Sequence, residues 1–410
     1  MSAAASSAVD LFDDAHLCDP YPTYAALRAI GPAVRLERHG VWAVPGYAEV
    51  HAILRDGSAF RSAGGVALTE LANAQIFAGT VLSSDGAQHR RLRRVLSRQL
   101  APRAIDKLQD QITDRARSLV GQHVQHGAFD GVALARQMVA DTVMSLMGLP
   151  ESTRDALLMG ASATFEAFGP DNDRYQHALP TASAMVAFLH EAVTRDAVKQ
   201  ESWMGDIFRA VDAGELQEEE AVPLASAYTV AGMDTTILGL AEAIVQLARH
   251  PAQWEVLREK PERAVNAFHE ALRLEAPIQG FGRIVTKDTY LGGLKIEAGE
   301  QLWLLYGSTG RDERKWGPTA DAYRLRRQLS YRHLAFGAGL HSCAGAHLAV
   351  MQARAFLGAL AERCAHLALS GEPERVLNNV LRGYRHVSVT VELSPWARAA
   401  PSASSSGGLE

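Results

Sequence analysis

The run Phe336-Gly337-Ala338-Gly339-Leu340-His341-Ser342-Cys343-Ala344-Gly345 constrains this chain more than any other stretch. Three glycines crowd around one thiol, and a helix-forming segment, Ala346 to Arg363, follows at once. Glycine admits positive φ and lets the backbone approach a flat ligand closely. A thiol just ahead of a helix start meets unpaired N–H groups and the positive end of the helix dipole, and both favour thiolate.

Plainer readings compete with a functional one. A lone cysteine is usually a small buried apolar residue, which is the expectation for Cys18 and Cys364 unless they are ordinary surface thiols. A glycine-rich loop before a helix can cradle a phosphate, but this loop has no Gly-Lys-Ser/Thr ending and follows no βαβ pattern. A thiolate on a tight loop is, by contrast, a good axial ligand for haem iron. The decapeptide resembles the haem-binding signature of the cytochrome P-450 family, Phe-Gly-x-Gly-x-His-x-Cys-x-Gly, at all six fixed positions. That resemblance implies a mainly α fold with a small β-rich region, the triangular prism of that family. It further implies haem b (iron protoporphyrin IX) between a long central helix and the cysteine-loop helix, with Cys343 on the iron and Phe336, Gly337 and Gly345 against the macrocycle.

With 410 residues, 47% of them hydrophobic, the chain can bury a large core. The expected organisation is an N-terminal arm at 1–18, a single domain at 19–396 and a disordered Ser/Gly-rich tail at 397–410. A net charge of −5 argues against nucleic acid. Three scattered cysteines make no disulfide framework and fit a reducing cytoplasm. No signal peptide is evident, and no uncharged apolar run reaches roughly 18 residues, so no membrane span is expected. The family default is a monomer.

Along the chain, Asp19-Pro20-Tyr21-Pro22 opens a helix to about Ala29, and two short strands flank the His39-Gly40 turn. Tyr47 to Leu54 reads as helix and Ser62 to Thr80 as a long loop, a place where lids and binding loops occur. Helical periodicity runs from Asp85 to Gly148 and from Glu151 to Ala210, with a break at Phe168-Gly169-Pro170. Ala221 to His250 reads as one long apolar helix and Arg258 to Glu275 as another. Short strands are expected from Ile284 to Leu305 and over Val387 to Leu393.

Asp234 is the anomaly of the long apolar helix, because an unpaired buried carboxylate is costly. A hydrogen-bonded structural Asp is the plain reading. The acid–alcohol pair Asp234-Thr235 beside Gly232 resembles the family's oxygen-activation motif, where the helix widens locally. The resemblance implies that both residues deliver protons to dioxygen, which is positioned general-acid work; Thr236 would only pack or bond back to its helix.

Glu270-Ala271-Leu272-Arg273 sets opposite charges on one helical face. It resembles the family's structural Glu-x-x-Arg pair, with Arg327 as the candidate third partner and Arg324 and Arg326 leaving the register open. His89 and Arg93, one turn apart, together with Arg283 and His341 resemble the family's contacts to the haem propionates. Arg90, Arg91, Arg94 and Arg98 form either a solvated basic face or a docking patch, centred on the first three, for an acidic ferredoxin or flavin-type electron donor. Such a donor is implied because no reductase domain is present.

The resemblance covers nearly the whole chain and implies monooxygenation: one atom of O2 enters the substrate and the other leaves as water. Thr164-Phe165-Glu166-Ala167-Phe168-Gly169-Pro170 resembles bacterial members that demethylate para-methoxybenzoates. Val66, Leu68, Phe77, Phe165, Phe168, Ser226, Val230, Ala231, Ile278 and Phe281 are the expected pocket. Those relatives bind carboxylate with an Arg and serines, where this chain has Ser226, Ala227 and Val230. Without that cation a carboxylate is disfavoured, and a neutral small aromatic ether such as guaiacol or syringol is expected. Alternatives are a terpenoid or polyketide hydroxylase, a peroxide-driven peroxygenase, and a haem sensor or carrier.

Overall fold

Apolar residues recur at helical spacing from Gly86 onward, and the helices they build enclose the first of two cores. The computed structural model of the chain describes residues 5–395. The expected disordered tail at 397–410 and the first four residues of the N-terminal arm lie outside the described residues.

The first core is mainly helical, with the strand residues Phe129, Leu367, Tyr384 and Val389 closing one side. Asp234–Arg249 packs on Gly131–Met147 and on Ala264–Leu274, and Ala346–Arg363 packs on Gln109–Val124 and Ala264–Leu274. The second core lies under a six-stranded sheet in the order Ser6–Ser7, Val34–Leu36, Val41–Val44, Gln301–Leu305, Gly280–Val285, Phe60–Arg61. Its register sets Trp42 opposite Leu302 in a parallel pair and Phe281 opposite Leu304 in an antiparallel one. Val230 packs against both cores and so marks the seam between them.

Several sequence expectations need correction. The long apolar helix is two helices, Ala221–Thr229 and Asp234–Arg249, with a break at Val230–Met233. Gly232 permits the break: a Cβ there would lie 2.3 Å from Tyr228 O, so no other residue fits so close to the preceding turn. By composition Glu218–Arg249 is apolar enough to cross a membrane, yet 72% of its most apolar window is buried inside the protein, so it is a core element. Arg258 to Glu275 is likewise divided. One helix, Pro251–Glu259, stops before Pro261, whose ring disfavours helix at Lys260, and Ala264–Leu274 follows a short 3-10 turn. Asp85 to Gly148 contains a strand, Ala128–Asp130, held by pairing to Ser388–Leu393. The long loop carries a short helix, Glu70–Gln75, capped by the Thr69 side chain. Strands Cys364–Leu369, Glu374–Leu377 and Arg382–His386 precede the one expected near the C-terminus.

Candidate active site

The cysteine loop is tied across its own base by a hydrogen bond from Cys343 N–H to Phe336 O at 2.8 Å. Gly339 takes φ of 69°, and a Cβ there would sit 2.2 Å from Leu54 O, so the loop closes against the helix Tyr47–Arg55 only as glycine. The loop lines a cavity of about 1850 Å³ of non-protein space, the open solvent at its mouth included. Cys343 faces this space. Burial raises its pKa, while Gly345 N–H, Arg93 and Ala346 N–H pull the other way. The thiolate expected from the helix start is therefore outweighed in the metal-free chain; a coordinated metal would ionise the sulfur outright.

One rim of the cavity is cationic. His89, Arg93, Arg283 and His341 all line it, with the rings of His89 and His341 4.2 Å apart. His89 Nε2 is buried without a hydrogen-bond partner. Burial, then His341 and Arg93, lower its pKa to about 4. Asp85 anchors the rim: its carboxylate accepts from Ser62 N–H at 3.0 Å and Ala63 N–H at 2.8 Å and lies 3.4 Å from His341 Nε2. Burial would raise Asp85, but these contacts outweigh it and hold the carboxyl at about 2. A buried ring nitrogen with no partner, beside two guanidiniums, is the environment an anionic haem edge satisfies. Phe336, Gly337 and Gly345 line the same space, so the residues present fit the macrocycle.

Thr235 and Ala231 line the same cavity as the cysteine, at the helix break, and the Thr235 hydroxyl donates to Ala231 O at 3.1 Å. Thr236 reaches it too. Asp234 does not: it is half-buried outside the lining, burial pushes its carboxyl up to about 7, and Arg136 opposes the shift. Ser226, Val230 and Ile278 are in the wall, but the Ser226 hydroxyl donates to Pro223 O at 2.6 Å and is turned into its own helix.

The remaining wall is aromatic. Phe77 stacks on Phe168 with centroids 3.8 Å apart, and Phe168 meets Phe281 at 4.8 Å and Phe165 at 5.9 Å. Val66 and Leu68, expected in the pocket, do not line it. Val66 is fully buried in the sheet-side core with its carbonyl accepting from Gly282 N–H at 2.9 Å, and Leu68 N–H donates to Phe168 O at 3.0 Å, so both support the wall from behind. The sequence reading missed Met185, Val186 and Leu189, one face of the helix Asp173–Ala192, along with Trp203 and Tyr228. Among the described lining residues there is no carboxylate, and the only cationic ones belong to the rim.

Glu270 and Arg273, 0% and 1% exposed, form a two-pronged pair at 2.8 and 3.0 Å. Arg273 also donates to the carbonyls of Gly310, Ala320 and Ala322 at 2.5, 2.6 and 2.9 Å. Arg327 Nε donates to Glu270 at 3.0 Å, whereas Arg324 contributes only its backbone N–H at 3.2 Å. A second buried network went unread: Glu242, in mid-helix, faces Arg375, which with Arg382 holds Glu275. The signal was the same as for Asp234, one carboxylate in an apolar run. On the surface Arg90 and Arg94 are exposed, while Arg91 is paired with Glu220 and Arg98 with Glu215.

A thiol on a glycine loop, a cationic rim and an apolar chamber in a mainly helical fold define the haem-thiolate class of oxygenase. The chain belongs to the cytochrome P450 family, whose model matches residues 189–388. Cytochrome P450 CYP199A2 of Rhodopseudomonas palustris is 35% identical over 391 residues, 94% of each chain. Cytochrome P450 monooxygenase PikC of Streptomyces venezuelae is 31% identical, covering 90% of this chain and 91% of its own. The crystal structure of P450BioI in complex with hexadec-9Z-enoic acid ligated acyl carrier protein superposes with a TM-score of 0.83 at 26% identity, over 92% of this chain and 100% of that one. Cytochrome P450 CREJ in complex with (4-ethylphenyl) dihydrogen phosphate gives 0.84 at 25% identity, over 93% and 99%. The protein is thus a cytochrome P450 monooxygenase, of a family that binds haem b through a cysteine thiolate and in bacteria uses O2 with ferredoxin or flavin redox partners.

Proposed function

We propose that this P450 removes the methyl group of a neutral methoxy-aromatic, a methoxyphenol such as guaiacol or syringol, with release of formaldehyde. Cys343 would hold the iron, and His89, Arg93, Arg283 and His341 would hold the propionates. Haem supplies the activation of dioxygen. The chain does the rest. The Phe77–Phe168 stack, with Phe165 and Phe281, orients a flat ring and excludes water. Thr235 holds a proton at the cavity wall, and Asp234, protonated below about pH 7, replenishes it from behind. Hydroxylation of the methyl carbon leaves a hemiacetal, which breaks down to phenol and formaldehyde.

The observation that carries this reading is an aromatic chamber with no cation beyond the rim. Ser226, turned onto Pro223 O, offers no substitute. A substrate carboxylate would be buried unpaired, so the ring must be neutral. CREJ, of the same fold, was crystallised with (4-ethylphenyl) dihydrogen phosphate, a single-ring phosphate monoester, which supports a single ring as substrate but not its neutrality. Arg90 and Arg94, with Arg91 tethered to Glu220, form the docking face for an acidic electron donor on a cytoplasmic, monomeric enzyme. The test is a titration with guaiacol, syringol and 4-methoxybenzoate, following haem spin state and formaldehyde. The phenols should shift the spin state and yield formaldehyde while the benzoate does neither. Silence across the phenols, or preference for the benzoate, rejects the assignment.

A further inference from the structure

Two histidines meet beneath the cysteine loop, outside the cavity lining. His333 is 4% exposed, and His269 is half-buried on the helix that carries Glu270 and Arg273. His269 Nδ1 lies 3.1 Å from His333 Nε2. On the far side of the pair, Ala335 N–H donates to His333 Nδ1 at 3.1 Å. That nitrogen is therefore unprotonated, and neutral His333 carries its proton on Nε2. This N–H donates to His269 Nδ1, which places the proton of His269 on its own Nε2. The hydrogen bonds run one way, from Ala335 through His333 to His269. The Phe336 ring packs against both imidazoles, with centroids 5.4 Å from His333 and 6.2 Å from His269. The carbonyl of the same Phe336 accepts the N–H of Cys343.

We propose that His269 is a positioning residue for the cysteine: its Nδ1 lone pair fixes His333, and the pair clamps Phe336, to which Cys343 is bonded. This rests on the reading of Cys343 as the iron ligand. Only neutral His269 performs the role. Once protonated, it would turn an N–H toward the N–H of His333. His333 cannot respond by changing tautomer, because Ala335 N–H needs its Nδ1. Among the described residues no charge beside the pair compensates: Arg273 repels a proton on the pair, and Glu270 is already held by Arg273 and Arg327. Burial lowers both histidines, and His269 reaches about 4. A histidine whose folded pKa lies below its unfolded value near 6.5 stabilises the fold above that value, and the contribution is lost as pH falls toward about 4.

The experiment compares wild-type holoprotein with His269→Ala and His269→Asn. The readout is the ratio of thiolate- to thiol-ligated carbonyl adducts of the reduced protein as a function of pH, with thermal unfolding in parallel. Alanine leaves the buried N–H of His333 without an acceptor, and the ratio should move toward thiol about ten-fold at neutral pH. Asparagine supplies an amide oxygen in place of Nδ1 and does not titrate. It should keep the wild-type ratio at neutral pH and abolish the loss that wild type shows on acidification. A wild-type protein without any thiolate signature would sink the ligand assignment itself. A wild-type protein with that signature, matched by both variants in ratio and pH profile, would sink the role of His269. Should the alanine variant not fold, the asparagine profile decides alone: flat supports the role, unchanged rejects it.

Discussion

Asp234 shows what one side chain does to a pH profile. Its carboxyl titrates near 7 because burial disfavours the charge. A carboxyl raised in the folded state stabilises the protein while protonated, and that contribution is lost as pH rises from about 4 through about 7. In its proposed role as a proton source it fails only as pH rises through about 7, where the folded carboxyl ionises, so turnover should have an alkaline limb near pH 7. Asp234→Asn should remove that limb and lower kcat by about 100-fold, the ordinary worth of a positioned acid; steady-state rates from acid to alkaline pH check this. Cys343, His89, Arg93, Arg283 and His341, picked by motifs that carry position as well as residue type, all line one cavity. Val66 and Leu68 do not: they lie in an irregular segment, where spacing says nothing about which way a side chain points.

Helices were legible as periodicity and their interruptions were not. Periodicity reports which face is buried, and it continues across the break at Val230–Met233 because both halves bury the same side. The break is set by backbone packing at Gly232. Gly232→Ala would drive a methyl group into Tyr228 O, with an expected loss of about 1–3 kcal/mol. Substrate-induced spin-state change should weaken with it, since Thr235 and Ala231 move together; denaturant melts and substrate titrations test both. The Glu270–Arg273 spacing, taken alone, fits any surface pair; its resemblance to the structural Glu-x-x-Arg pair is what sets it apart in the sequence, and the pair is fully buried. Glu270→Gln leaves two guanidiniums without a counter-charge and should destabilise the protein by about 3–5 kcal/mol with haem loss on mild heating. An effect under about 1 kcal/mol would mean that the carbonyls around Arg273 carry the scaffold instead.

At the scale of the whole molecule, the two cores meet at the cavity, so its wall draws on helices and sheet alike. The fold class was readable from one decapeptide, whereas the seam was not, because it depends on contacts between distant segments. The charge pattern is also a whole-molecule property. With a net charge of −5, the exposed Arg90 and Arg94 are a local exception. Reversing both to Glu should raise the apparent KM for an acidic electron donor by about ten-fold at low salt, a difference that shrinks as the Debye length falls. A salt-independent change would point to contact packing instead of charge.

The contact between His341 and Asp85 joins positions 256 residues apart. Closing so long a loop is slow, and it yields nothing until the distant ends have met. The cationic rim is therefore among the last features the nascent chain can complete. A ligand that recognises only the finished rim stabilises it by mass action. Cofactor supply during synthesis should then govern how much of this protein escapes aggregation, quite apart from how fast the mature enzyme turns over.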